Sequence, residues 1–227
     1  MEDGKMMSSR KLICAAVLGL LVCSSAWSEG PEKTSSRRLA IDEELWLQLA
    51  DEPGRHFQIA KERFVNNDRP TAAFHMRKAA VYLRISAQNS TPNSQRNLTY
   101  SATELESLAK GVMSGTVRSI ETLEFAFARA EHSLAQHHYA MASESWTQER
   151  SRIAGYRLRA AGNATERAAR WTGEEIQDGA RTVYSGTRTL SGKLIEGTGI
   201  VVDEVGKGIG SIGKQIEKVG DRIVPRE

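Results

Sequence analysis

The chain has 227 residues, with 31 basic and 28 acidic side chains, a formal net charge of +3, 40% hydrophobic residues and 6% aromatic ones. That length suffices for one ordinary core, and the near balance of charge describes a mixed solvated surface that gives nucleic acid nothing to bind. The two cysteines, Cys14 and Cys23, lie close to the start, so the rest of the chain has no disulfide, thiol nucleophile or cysteine metal ligand and must be held by packing.

Lys5, Arg10 and Lys11 precede an apolar run from Leu12 to Cys23. The run is too short to span a bilayer and fits a secretory signal peptide over residues 1–28, with Ala26 and Ser28 at the −3 and −1 places of a cleavage site. The expected location is therefore periplasmic or secreted. A lipid anchor at Cys23 is disfavoured, because the preceding residue is Val22 and not a small one. Residues 29–38 read as a polar, flexible leader.

From residue 39 to residue 172 the pattern is helical throughout, since the prolines fall at boundaries and β-branched runs are few. Ile41, Leu45, Trp46 and Leu49 stripe a short amphipathic helix that ends before Pro53. Phe57, Ala60 and Phe64 stripe the next, which ends at Asn66-Asn67-Asp68. Pro70 then occupies a first helical turn, where its missing N–H is not needed. That helix carries Ala72, Met76, Ala79, Ala80, Leu83 and Ala87 on one face. Ser101-Ala102-Thr103-Glu104 has the form of a capping box and predicts the start of a long helix through Leu105, Leu108, Val112, Ile120, Leu123, Phe127, Ala130 and Leu134. Gly111 and Gly115 lie inside that helix, where they would permit a close crossing. A further helix runs through Ala142, Trp146, Ile153, Ala160, Ala164, Ala168 and Trp171. The expected fold is all-α: an antiparallel helical bundle over 39–172, followed by a long amphipathic C-terminal helix.

Residues 173–227 form that second region. Gly192, Gly199, Gly206, Gly213 and Gly220 recur every seven residues, and Val202, Val205, Ile209, Ile212, Ile216, Val219 and Ile223 alternate at three and four. This is an a/d seam with a glycine beside it in each heptad. Interior glycine costs about 1 kcal/mol relative to alanine, so the glycines between Gly199 and Gly220 cost roughly 6 kcal/mol. Each Val or Ile recovers about 1.5–3 kcal/mol when buried. Such a helix must lie against something. Three surfaces fit: its own bundle, a second chain or other protein partner, and the periphery of a membrane, the last weakened by a polar face with no basic excess. A true span is excluded by Lys193, Glu196, Asp203, Glu204 and Lys207.

Chemistry is harder to place. His132, His137 and His138 cluster, but without the three- or four-residue spacing that puts two ligands on one helix face, and there is no Glu-x-x-His motif. A metal set would need His75, on another helix, to meet Glu131 or His132 in space, with His138 as a further candidate ligand. No cofactor motif is present: the Gly-x-Gly steps at 197–199 and 206–210 lack the strand and the Gly-Lys-Ser/Thr ending of a phosphate loop. The aromatics Trp46, Phe57, Phe64, Phe74, Phe125, Phe127, Trp146 and Trp171 are expected in the core. No catalytic residue is assigned.

Two resemblances add to this. Ile59, Ala60, Ala72, Met76 and Ala79 occupy the small and large packing positions of a tetratricopeptide-type hairpin, in one copy only and with its aromatic displaced to Phe64. The run from Ala126 to Tyr139, with Val205 to Ile209 and Gly213 to Glu217, resembles exported bacterial helical proteins of uncharacterised function, and more loosely the stress-linked YfdX group; neither implies a role for any residue. The function expected is non-enzymatic binding or scaffolding through the C-terminal helix, with an envelope-stress holdase or a small-molecule or metal-binding bundle as alternatives.

Overall fold

A computed structural model describes residues 49–173 and 176–223, all of whose regular structure is helical. The expected signal peptide and leader, most of the first amphipathic stripe and the last four residues lie outside the described residues. Seven helices follow the helical pair at 49–50: α1 (Glu52–Val65), α2 (Arg69–Gln88), α3 (Pro92–Ser114), α4 (Ile120–Thr147), α5 (Ser151–Trp171), α6 (Asp178–Glu196) and α7 (Val202–Ile223).

The turn between α1 and α2 forms where the sequence places it. Asn67 adopts φ +58°, which asparagine tolerates better than most residues, and the Asp68 side chain accepts from the Thr71 N–H at the start of α2. The face from Ala72 to Ala87 is buried against α1 and α3, with Phe57 and Ala60 fully buried opposite it.

Two boundaries differ from expectation. The helix expected to open at Ser101 begins at Pro92, capped by Thr91, whose hydroxyl accepts from the Ser94 N–H. Ser101 is instead buried mid-helix, 3.0 Å from the Ser133 hydroxyl of α4. Pro92 at a first turn is as good a start signal as the capping box, and the two compete in the sequence. The long stripe from Leu105 to Leu134 is also broken: Gly115 takes φ +76° and ends α3, so it is a C-cap and not a crossing point. The helix is continuous through His137-His138. α4 runs on to Thr147, taking in Ala142 and Trp146, and the chain turns at Glu149 (φ +58°).

Every consecutive pair of helices packs together, and α4 also meets α1 and α7. At 28 residues it is about 42 Å long and lies between α1–α3 and α5–α7. The core around it contains Phe57 stacked on Phe127 at 4.7 Å and Trp171 edge-on to Phe127 at 5.3 Å. Trp146 and Phe64 are half-buried at its margin. Phe74 and Phe125 depart from expectation: they are 51% and 44% exposed.

α5 approaches α6 closely at two glycines. A Cβ on Gly155 would come within 2.9 Å of the Ser191 carbonyl oxygen and 2.7 Å of Leu194 Cβ, and one on Gly162 within 2.9 Å of Thr187 Cγ2. These two notches, seven residues apart in an alanine-rich helix, seat α6.

Candidate association site

The C-terminal region is two helices and not one. α6 ends at Gly197 (φ +72°), the link 197–201 includes Gly199 (φ +59°), and α7 starts at Val202. Left-handed backbone is open to glycine without cost, so the heptad glycine at 199 makes the break instead of the seam. Val202, the first expected seam residue, is 69% exposed beside Val201 at 56%. The other six, Val205, Ile209, Ile212, Ile216, Val219 and Ile223, are buried against α4, α5 and α6. Within one chain, the surface that α7 lies on is formed by α4, α5 and α6.

The glycines beside the seam divide into two kinds. A Cβ at Gly213 would meet the Tyr139 hydroxyl at 2.8 Å, at Gly220 the His132 Nε2 at 2.7 Å, and at Gly208 the Leu190 Cδ2 at 2.3 Å. Gly206 and Gly210 face open space. Thus Tyr139 and His132, one helical repeat of seven apart on α4, fit into two glycine notches seven apart on α7. His132 Nε2 lies 3.1 Å from the Ile216 carbonyl oxygen. That contact requires the proton on Nε2, so the ring donates to the backbone of α7. Burial lowers the His132 pKa, and this bond partly offsets the shift. Gln215 Nε2 donates to the Tyr184 hydroxyl (3.3 Å), and the Lys193 ammonium meets Glu204 (2.7 Å) across the link. Beside the notches, a polar cleft of about 530 Å³ separates α7 from α3 and α4, lined in part by Asn93, Asn97, Gln136 and Glu217.

The histidines proposed as metal ligands do not converge. His75 pairs with His56 across α1 and α2, Nδ1 to Nδ1 at 2.8 Å, while His132 faces α7 and His138 is buried in α4. No group of three or more His, Cys, Asp or Glu arranged to hold a metal occurs among the described residues. Nothing in the sequence ties residue 56 to residue 75 until the register of the α1–α2 turn is known. His137 Nδ1 lies 3.0 Å from the Ser90 hydroxyl, and burial lowers its pKa to about 4. His138 lies well below the ordinary value, through burial first and then the charges of His137, Arg167 and Arg157.

One ionic cluster runs from the interior to the surface. Glu131 is fully buried, its Oε1 accepts from Arg167 Nε at 2.7 Å, and Arg167 Nη1 reaches Asp51 at 2.7 Å. Burial raises the Glu131 pKa, and the Arg167 charge and hydrogen bond oppose it. A Cβ at Gly54 would lie 2.6 Å from Arg167 Nε and 2.8 Å from Glu131 Oε1, so α1 passes here because residue 54 has no side chain.

The chain is an all-α protein. No family model, curated protein or solved structure matches it.

Proposed function

We propose that this is a non-enzymatic, exported helical-bundle binding protein, an antiparallel bundle that associates through its C-terminal heptad helix by exchanging α7 with a second copy. One observation carries this reading: α7 is joined to the bundle by a two-glycine link that ends in exposed valines, and its seam fits notched side chains on the bundle. Five interior glycines cost α7 roughly 5 kcal/mol of intrinsic helix stability. Six buried Val and Ile side chains offset that by roughly 9–18 kcal/mol. α7 is therefore helical when seated and unstable when free, and a second copy offers an identical seat. Exchange of an identical element between protomers preserves every native contact. It also brings the two links together, which gives Val201 and Val202 apolar neighbours that they lack in the single chain.

Light scattering on the chain without its signal peptide tests this. A dimer that grows with concentration, and that disappears when the chain ends at Glu196, is the expected result. A monomer at every concentration, or a dimer untouched by the truncation, would sink the reading. Truncation uncovers apolar surface on α4, so a second variant is needed: lengthening the link with Gly and Ser residues lets α7 return to its own bundle and should shift dimer toward monomer while keeping the fold.

A further inference from the structure

α2 is apolar on two opposite faces. Its inner face is the alanine-rich surface buried against α1 and α3. On a wheel of about 100° per residue, Phe74, Val81 and Ile85 fall within about 40° of one another, directly opposite that face. They are 51%, 50% and 42% exposed. A fully packed helix at the edge of a bundle would carry polar residues there.

The charge on α2 is one-sided as well. The helix has four cations, Arg69, Arg77, Lys78 and Arg84, and no Asp or Glu. Arg77, Lys78 and Arg84 flank the apolar stripe and are exposed. Of the acidic groups near α2, Asp68 caps its N-terminus, Glu106 of α3 pairs with Arg84, bidentate at 2.8 and 3.1 Å, and Glu52 of α1 pairs with Arg55 at 2.7 Å, which leaves Arg77 and Lys78 as the cations beside the stripe. The Lys78 ammonium sits 5.5 Å from the Phe74 ring centre, at the edge of the stripe.

We propose that the outer face of α2 docks on a bilayer surface bearing anionic headgroups. A convex ridge of one aromatic and two branched side chains, with long basic side chains on both flanks, suits insertion of the ridge at the acyl boundary while the cations reach headgroup phosphates. The mode is peripheral: no helix among the described residues is long and apolar enough to cross a membrane. This surface is separate from α7, so the two proposals stand or fall independently.

Vesicle flotation of the chain without its signal peptide tests it. The chain should float with vesicles containing phosphatidylglycerol, float poorly with pure phosphatidylcholine, and lose binding as salt is raised. Phe74→Gln with Val81→Gln and Ile85→Gln should abolish flotation. Arg77→Gln with Lys78→Gln should weaken it roughly tenfold at low salt. Because all five positions are exposed, both variants should keep the parent's circular-dichroism spectrum and urea midpoint; the charge pair serves as the test if the apolar triple misfolds. Absence of flotation by the parent, or flotation unchanged in the variants, would overturn the proposal. A changed oligomeric state in the apolar triple, with no flotation by the parent, would overturn it in favour of a second copy on this face. A chain ending at Glu196 that still floats would confirm that lipid contact does not pass through α7.

Discussion

Glycine inside a helix is destabilising unless the missing side chain lets something else come closer, and this chain contains both situations within one repeat. At Gly206 and Gly210 a methyl group would point into open space. Gly206→Ala and Gly210→Ala should therefore each stabilise the protein by up to about 1 kcal/mol, seen as a raised urea midpoint with unchanged slope. Gly155→Ala should do the reverse. Its Cβ would meet a backbone carbonyl of α6 at 2.9 Å, which cannot rotate away, so overpacking should cost about 1–3 kcal/mol. If all three substitutions move the midpoint in one direction, the notches are not what positions the helices. At this scale the sequence was partly legible. The seven-residue glycine spacing was visible in α7 and equally present at Gly155 and Gly162. The identity of the filled notches was not, because it depends on Tyr139 and His132 arriving from a helix some eighty residues earlier.

Among the elements, helical character and the buried faces of α1, α2 and α4 could be read from apolar spacing, since burial on one side imposes a period that composition cannot hide. The ends could not be read so well. Pro92 and Ser101 both resemble helix starts, and Gly115 and Gly111 both resemble either a cap or a crossing; tertiary packing decides between them. The same ambiguity made one continuous heptad helix of what is α6, a link and α7. The link has a testable consequence. Gly197 and Gly199 hold positive φ, so Gly199→Val should strain the link by about 1–2 kcal/mol and loosen α7 without touching the seam. Hydrogen exchange should show faster exchange across α7 and little change in α4 and α5. A uniform change across all helices would mean that α7 does not open as a separate unit.

The apolar seam of α7 was legible as a stripe and illegible as a place. Six of its seven apolar residues do form one buried stripe, yet a sequence carries no sign of whether a stripe is covered by its own chain or by another. The three candidate ligands lie apart: His75 pairs with the His56 ring, His132 with the Ile216 carbonyl of α7, and the buried His138 ring lies beside His137. The exposed stripe on α2 was missed because Phe74 was assigned to the core along with the other aromatics.

The molecule as a whole should be sensitive to mild acid. All five histidines, at positions 56, 75, 132, 137 and 138, have pKa values below the ordinary one, with burial the largest cause in each case. A histidine whose folded pKa is depressed adds nothing unfavourable above pH 6.5 and loses stability as pH falls toward the folded value, because the unfolded chain takes up the proton first. For His137, with a folded pKa of about 4, the loss between pH 7 and pH 5 is on the order of 2 kcal/mol. The His56–His75 contact adds to it, since two Nδ1 atoms 2.8 Å apart can hold one proton between them but not two. Glu131 acts with the opposite sign: burial raises its pKa, so its contribution is full below about pH 4.5 and fades as pH rises through the folded value. Glu52, Asp68 and Glu121 are lowered and matter only in stronger acid. Five histidines oppose one glutamate in this range, so the urea midpoint should fall between pH 7 and pH 5. His137→Gln should lower stability at pH 7 by removing a buried ring, yet flatten the pH dependence. A midpoint constant from pH 7 to pH 5 in the parent chain, or a slope undiminished in His137→Gln, would show that His137 does not carry the effect.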